Sequence, residues 1–182
     1  MKQIKDKLKQ IATETAQKSG VGAVTFRELG KAVGIKSSSV VYHFENKDGL
    51  LYEIVTDYRD SFFQEINNID NKFNTADQKL AALTDIFLSV VVEGKFCLCG
   101  MLASDANALD DKTRQFVRGF FNELEQWVTE VIASHASLNN ALAPGLAQII
   151  VSGLEGAMLL DKTDGTTARL TAMKGWIASL TP

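Results

Sequence analysis

The side chains best placed to act on a partner are hydroxyls at predicted helix starts, clustered within Thr25–Leu51, TFRELGKAVGIKSSSVVYHFENKDGLL. Thr25, three residues ahead of Glu28, has the spacing of a capping box, in which two side chains satisfy orphan backbone N–H groups. Ser37 is placed to cap a second helix, and the small polar Ser38 and Ser39 keep that helix's N-terminal end uncluttered. This is the chemistry of recognition, not of bond making. The chain has no G-x-S-x-G elbow, phosphate loop, H-E-x-x-H or plausible nucleophile–base pairing, so no catalytic residues and no enzyme are expected.

The elements that must position these groups follow from the same stretch. Leu29 and Val33 give the first helix an apolar face, and Gly30 leaves room for a second helix to cross closely. Gly34 can take the left-handed conformation that stops a helix, and Ile35 then points inward to pin the turn. Asn46 can cap a further helix that begins near Lys47. Two short helices crossing steeply over a glycine turn form a helix-turn-helix, which lays its second helix in the DNA major groove. Double-stranded DNA is therefore the expected partner.

The 182 residues suit one large domain or a small one joined to a larger one, and they can bury a substantial core without disulfides. Helical periodicity runs nearly uninterrupted, with only Pro144 and Pro182 as prolines, so the chain is predicted to be all-α with about nine helices. The net charge of −3 is unevenly spread. Residues 1–47 hold nine Lys/Arg against four Asp/Glu, a net of +5, and residues 48–182 hold ten against eighteen, a net of −8. A basic N-terminal unit on an acidic body suits a molecule that presents one end to phosphates. Lys2, Lys5, Lys7 and Lys9 equally suit a solvated helix face. No signal peptide and no apolar run of about 18 residues is visible, so a cytoplasmic protein without a membrane partner is expected.

Further along, Leu80 to Val91 mark a fifth helix, and Asn67–Asn74 reads as the break before it. Lys95–Leu102, KFCLCGML, reads as an irregular link into a short sixth helix around Ala103–Leu109. Asp110–Asp111 opens a seventh helix, an eighth begins near Pro144, and Asp164–Gly165 turns into the last. His135 reads as a helix C-terminal residue interacting with the dipole. The eighth and ninth helices form a hairpin whose Ile149, Gly153, Gly156, Leu160, Met173 and Trp176 are candidates for a homodimer interface, since such proteins read two half-sites through two-fold symmetry, with an ordinary intramolecular core as the alternative. Phe62, Phe87, Val91, Met101, Phe120, Phe121 and Trp127, with polar Asn107 and Glu123, are candidates to line a small-molecule cavity, and residue by residue they suit ordinary core packing better. Cys97 and Cys99 lack the further ligands of a zinc site, so neither a metal nor a cofactor is expected.

These residues resemble a known family. The pattern H-F-x-N-K-D-x-L-L over His43–Leu51, after a glycine-turned helix pair, is similar to the TetR family of one-component transcriptional repressors, as is CLCGMLASD over Cys97–Asp105. The resemblance implies a homodimer whose N-terminal domain, residues 1–46, binds a palindromic operator. Residues 47–182 would hold a small-molecule inducer and pair their last two helices with those of a mate. It also implies that Thr25 and Arg27 touch phosphate, and that Lys36, Ser37, Ser38 and Ser39 read base edges or approach the backbone. Tyr42 and His43 would hold the phosphate backbone, with Lys47 opening the fourth helix beside a phosphate. The chain departs from the pattern at Val41, where the family usually has tyrosine, at Ser38-Ser39, often Gly-Thr, and at Gly30, commonly alanine. Val41 and the acidic total leave a competing reading, a helical ligand-binding or scaffolding dimer that does not bind DNA.

Overall fold

The computed structural model describes residues 2–134 and 140–180. Among them are nine α-helices, three short 3₁₀ turns and no strand. The helices are α1 (Lys2–Ser19), α2 (Phe26–Val33), α3 (Ser37–Phe44), α4 (Lys47–Lys72), α5 (Ala76–Val92), α6 (Leu98–Ser104), α7 (Asp111–Ala133), α8 (Ala143–Asp164) and α9 (Ala168–Leu180). The predicted all-α class and helix count hold. His135 lies outside the described residues.

Local chemistry explains most boundaries. Thr25 Oγ1 accepts the Glu28 N–H at 3.3 Å at the start of α2. Asn46 Oδ1 accepts the Gly49 N–H at 2.8 Å, and Asp110 Oδ1 accepts that of Thr113 at 2.9 Å, at the starts of α4 and α7. Pro144 sits in the first turn of α8, and left-handed Gly165 ends it.

Three expectations are corrected. Ser37 does not cap α3: the cap position belongs to Lys36, in extended backbone and without a side-chain capping bond, and Ser37 is already helical. The α4 helix runs through the polar Asn67–Asn74 stretch as far as Lys72, because Ile66 and Ile69 continue its buried stripe. The sixth helix spans Leu98–Ser104, earlier than expected. Cys97 Sγ accepts the Gly100 N–H at 3.4 Å as its cap, and the burial of Leu98, Cys99 and Leu102 holds it despite the internal glycine.

The chain packs into two compact units, Met1–Asp60 with Cys97–Arg118, and Ser61–Phe96 with Gly119–Pro182. In the first, α1 buries Leu8, Ala12 and Ala16 at helical spacing and packs on α2 and α6. Lys5 and Lys9 on α1 pair with Glu53 and Asp57 on α4 at 2.7 and 2.6 Å. Burial opposes the Lys9 charge, but the Asp57 carboxylate holds its ammonium above the usual value. Half of the basic face expected on α1 is thus engaged within the fold.

In the second unit, α8 packs on α5 and α9, joining Leu80, Leu83, Phe87, Ile150, Leu154, Leu170 and Ile177 in one core. The α8–α9 turn is held by Asp161, whose side chain is fully buried. Its Oδ1 accepts the Arg169 N–H at 3.1 Å and the Thr166 hydroxyl at 3.2 Å, and its Oδ2 accepts the Leu170 N–H at 2.9 Å. Burial alone would raise the Asp161 value, but those N–H donors outweigh it and hold the carboxyl below the usual range. By length and composition α8 could span a bilayer, yet its packing and the buried Asp161 are those of a core helix.

Candidate nucleic-acid interface

The geometry of the helix pair is set at the C-terminal end of α2. Gly34 is left-handed at φ 76°, and its N–H reaches Lys31 O at 3.3 Å while Ile35 N–H reaches Gly30 O at 2.9 Å. Both bonds together make a Schellman closure, which satisfies two orphan carbonyls and reverses the chain in few residues. A Cβ on Gly30 would lie 2.7 Å from Ile35 O and 3.3 Å from Ser37 N. The expected close approach at Gly30 is therefore between α2 and the backbone leading into α3.

On α3, Val40 and Phe44, four residues apart, are buried and fix the helix on its unit. Ser38 and Tyr42, also four apart, share the opposite face. Ser37, Ser38 and Ser39 are exposed, and Tyr42 is 77% exposed, unusual for so large an aromatic. The imidazole of His43 is half-buried and meets Tyr42 edge-on, with ring centroids 5.8 Å apart. Thr25 and Lys36 are exposed at the N-caps of α2 and α3. Arg27 projects outward and pairs with its neighbour Glu28, at 3.2 Å. Val41 is also exposed and brings no hydrogen-bonding group to this face.

Lys47 differs from expectation in one respect. Its ammonium donates to Val21 O at 2.8 Å, pinning the turn Val21–Ala23 to the start of α4. An ammonium has three donors, so two remain for a phosphate. Replacing Lys47 with alanine is expected to weaken binding to all duplex sequences alike and to flatten the salt dependence by about one ion. A titration at several salt concentrations reads this out; a loss confined to one sequence would contradict it.

The expected ligand residues divide between the units. Phe62, Phe87, Phe120 and Phe121 lie in the second, interlocked edge-to-face with Phe63, at centroid distances of 6.4 Å for Phe62–Phe87 and 5.1 Å for Phe62–Phe120. Sequence reasoning missed Phe63; its place beside Phe62, one step round α4, was the available signal. Glu123 is half-buried, and the Trp127 indole N–H donates to Asp70 Oδ2 at 2.8 Å. Met101 and Asn107 belong to the first unit, with Asn107 exposed. Val91 lines a cavity of about 430 Å³ shared with Asp161, Lys162 and Thr166.

Of the expected interface residues, Ile149 (58%), Leu160 (50%) and Trp176 are exposed apolar groups, and Gly156 is exposed between them. Leu159, not among the interface candidates, is 52% exposed on the same helix. Gly153 and Met173 face one another within the chain: a Cβ on Gly153 would meet Met173 Cε at 2.8 Å. That pair serves α8–α9 packing.

Comparison with known proteins agrees with this geometry. Residues 10–54 match the family described as bacterial regulatory proteins, tetR family, and residues 78–175 match the LmrA/YxaF-like C-terminal domain of transcriptional regulators. The HTH-type transcriptional repressor KstR2 of Mycolicibacterium smegmatis is 31% identical over 85 residues, which span 47% of this chain and 40% of that relative. A TetR transcriptional regulator from Legionella pneumophila is 27% identical with a TM-score of 0.91, covering 98% of this chain and 97% of that one. A TetR-family regulator from Agrobacterium tumefaciens shares the fold at 23% identity, with a TM-score of 0.92 over 98% and 97% of the two chains. The chain belongs to the TetR family of bacterial transcriptional regulators.

Proposed function

We propose that the protein is a homodimeric repressor that binds a palindromic operator in the cytoplasm and is released by a small-molecule inducer. The observation that carries this reading is the outward face of α3, where Ser38 and Tyr42 stand exposed on a helix fixed by Val40 and Phe44. Ser38 and Ser39 read base edges, Lys36 and Ser37 approach the strand at the helix start, and Thr25, Arg27, Tyr42, His43 and Lys47 hold phosphates. Residues 1–46 carry DNA binding and residues 47–182 carry effector binding and dimerisation. This division concerns what each part binds, and the two packing units do not follow it.

Dimerisation uses the outward stripe of α8 and α9, with Ile149, Gly156, Leu160 and Trp176 meeting the same residues of a second copy. Exposed apolar groups at this density suit burial against an equal surface. The inducer enters the aromatic cluster of Phe62, Phe87, Phe120 and Phe121, displacing rings that otherwise fill one another's space. Its binding shifts α4, which contributes residues to both units. Operator DNA must then weaken inducer binding by the same factor that inducer weakens operator binding.

A salt titration of duplex binding tests the reading. Neutralising several phosphates gives log K falling steeply and linearly with log salt. Weak binding with a flat salt dependence would favour the scaffolding alternative, to which the acidic total and Val41 point. In the same assay Ser38→Ala or Ser39→Ala is expected to change sequence preference more than overall affinity. Equal loss on every sequence would contradict the assignment of these serines to base edges.

A further inference from the structure

Neither the reading head nor the aromatic cluster uses the groove between α4 and α5, whose lining residues all belong to the second compact unit. The α5 helix packs closely on α8 and α9 but not on α4, and the space left between α4 and α5 amounts to about 460 Å³. The link over residues 73–75 turns the chain back, and Lys79 Nζ meets Asp70 Oδ1 at 2.6 Å, which fixes the register of the two helices. On α4 the groove is lined at i, i+4 and i+8 by Glu65, Ile69 and Phe73, and on α5 by Ala82, Asp85 and Ile86. Its floor is therefore apolar. Glu65 lies five residues before Asp70 and Asp85 six beyond Lys79, so both carboxylates stand toward the end away from the link.

The charges in the groove select the ligand. Asp85 is paired with Lys174 Nζ of α9 at 2.5 Å. The Lys72 ammonium lies over the Phe73 ring, 5.0 Å from its centroid, at the end near the link. Glu65 is exposed and makes no ion pair among the described residues. The aromatic face and one carboxylate thus each hold an ammonium of the chain itself, and the other carboxylate has none. We propose that this groove binds a monoammonium compound with a short aliphatic tail, its ammonium on Glu65 and its tail on Ile69, Ala82 and Ile86. The three donors of an ammonium match the acceptors on that rim, namely the Glu65 carboxylate, Asp85 and the Asn68 amide oxygen. Lys72 limits the class. It lies seven residues from Glu65, about 10 Å along the helix, so a second ammonium at the tail end meets a like charge. An anionic ligand meets Glu65 and Asp85 instead. The site is separate from the aromatic cluster assigned to the inducer and does not depend on that reading.

The test needs no operator. Isotope-labelled full-length protein is titrated with hexylammonium chloride while its backbone amide shifts are followed by NMR. Saturable shifts are expected over residues 65–73 and 82–89. Hexanoate, hexanol and hexamethylenediamine, which share the six-carbon chain, should each bind more weakly. Glu65→Gln should weaken hexylammonium binding about fivefold, the upper range for an exposed ion pair. Because Glu65 is exposed, that change should leave the melting temperature unaltered, so lost binding is not lost folding. Lys72→Met should remove most of the discrimination against the diamine. Hexanoate or hexanol bound as tightly as hexylammonium, an unchanged affinity in Glu65→Gln, or saturable shifts confined to the surroundings of Phe62 and Phe120 would overturn the assignment.

Discussion

Asp161→Ala is expected to lower stability by about 3 kcal/mol, because it strands two backbone N–H groups at the start of α9, each worth about 1–3 kcal/mol when left unmet. Both donors, of Arg169 and Leu170, now end on the Asp161 carboxylate, as does the Thr166 hydroxyl. Asp161→Asn retains one acceptor oxygen but turns its NH2 donor toward one of the two N–H groups, so it should cost about 2 kcal/mol, less than alanine. The same contacts predict a pH dependence. The folded value lies below that of the unfolded chain, about 3.9. The stabilisation is therefore complete above that unfolded value and is lost as pH falls through the folded one. Urea denaturation followed by circular dichroism, at neutral pH and toward pH 3, measures both effects. An alanine variant within about 0.5 kcal/mol of the parent would contradict this account of the hairpin.

Tyr42→Ala is expected to reduce operator affinity by roughly tenfold to a hundredfold, the range for a hydrogen bond to a charged group. The reason lies in Val41. Where the resemblance leads one to expect a tyrosine that donates to phosphate, this chain has a side chain that cannot, and the hydroxyl stands one residue on. Tyr42 is 77% exposed, so the substitution should leave the melting temperature nearly unchanged. Tyr42→Phe separates the hydroxyl from the ring: most of the loss should already appear in that variant. Unaltered operator affinity in both would move the phosphate contact elsewhere, with the half-buried His43 next in line.

Where local chemistry decided the structure, the residues were legible. The Thr25 cap, the Gly34 reversal, the Asn46 cap and the Gly165 stop each follow from a side chain acting on backbone within a few positions. Ser37 shows the limit: a good capping residue stands one position inside its helix, because the tight closure from Gly34 leaves the cap position to Lys36. The α6 helix was misplaced for a different reason. Its start depends on a thiol cap and on burial of Leu98, Cys99 and Leu102, which no local pattern announces. Asp161 reads in sequence as an ordinary polar residue near a helix end; only the fold brings Arg169 and Leu170 to it. For the site, Ser38 and Ser39 were legible as small polar residues at a helix start and Tyr42 through the family resemblance, whereas the Lys47 bond to Val21 and the Lys5 and Lys9 pairings required knowing where α1, α4 and the intervening turn meet.

The central claim is that two copies of α3 read two related half-sites. Selection of duplexes from genomic fragments by the purified full-length protein, followed by footprinting of the enriched sequence, measures this directly. The account predicts one inverted repeat whose half-sites are centred about one helical turn, or a multiple of it, apart, protected symmetrically. Enrichment without any preferred palindrome, or protection of a single unpaired site, would contradict it.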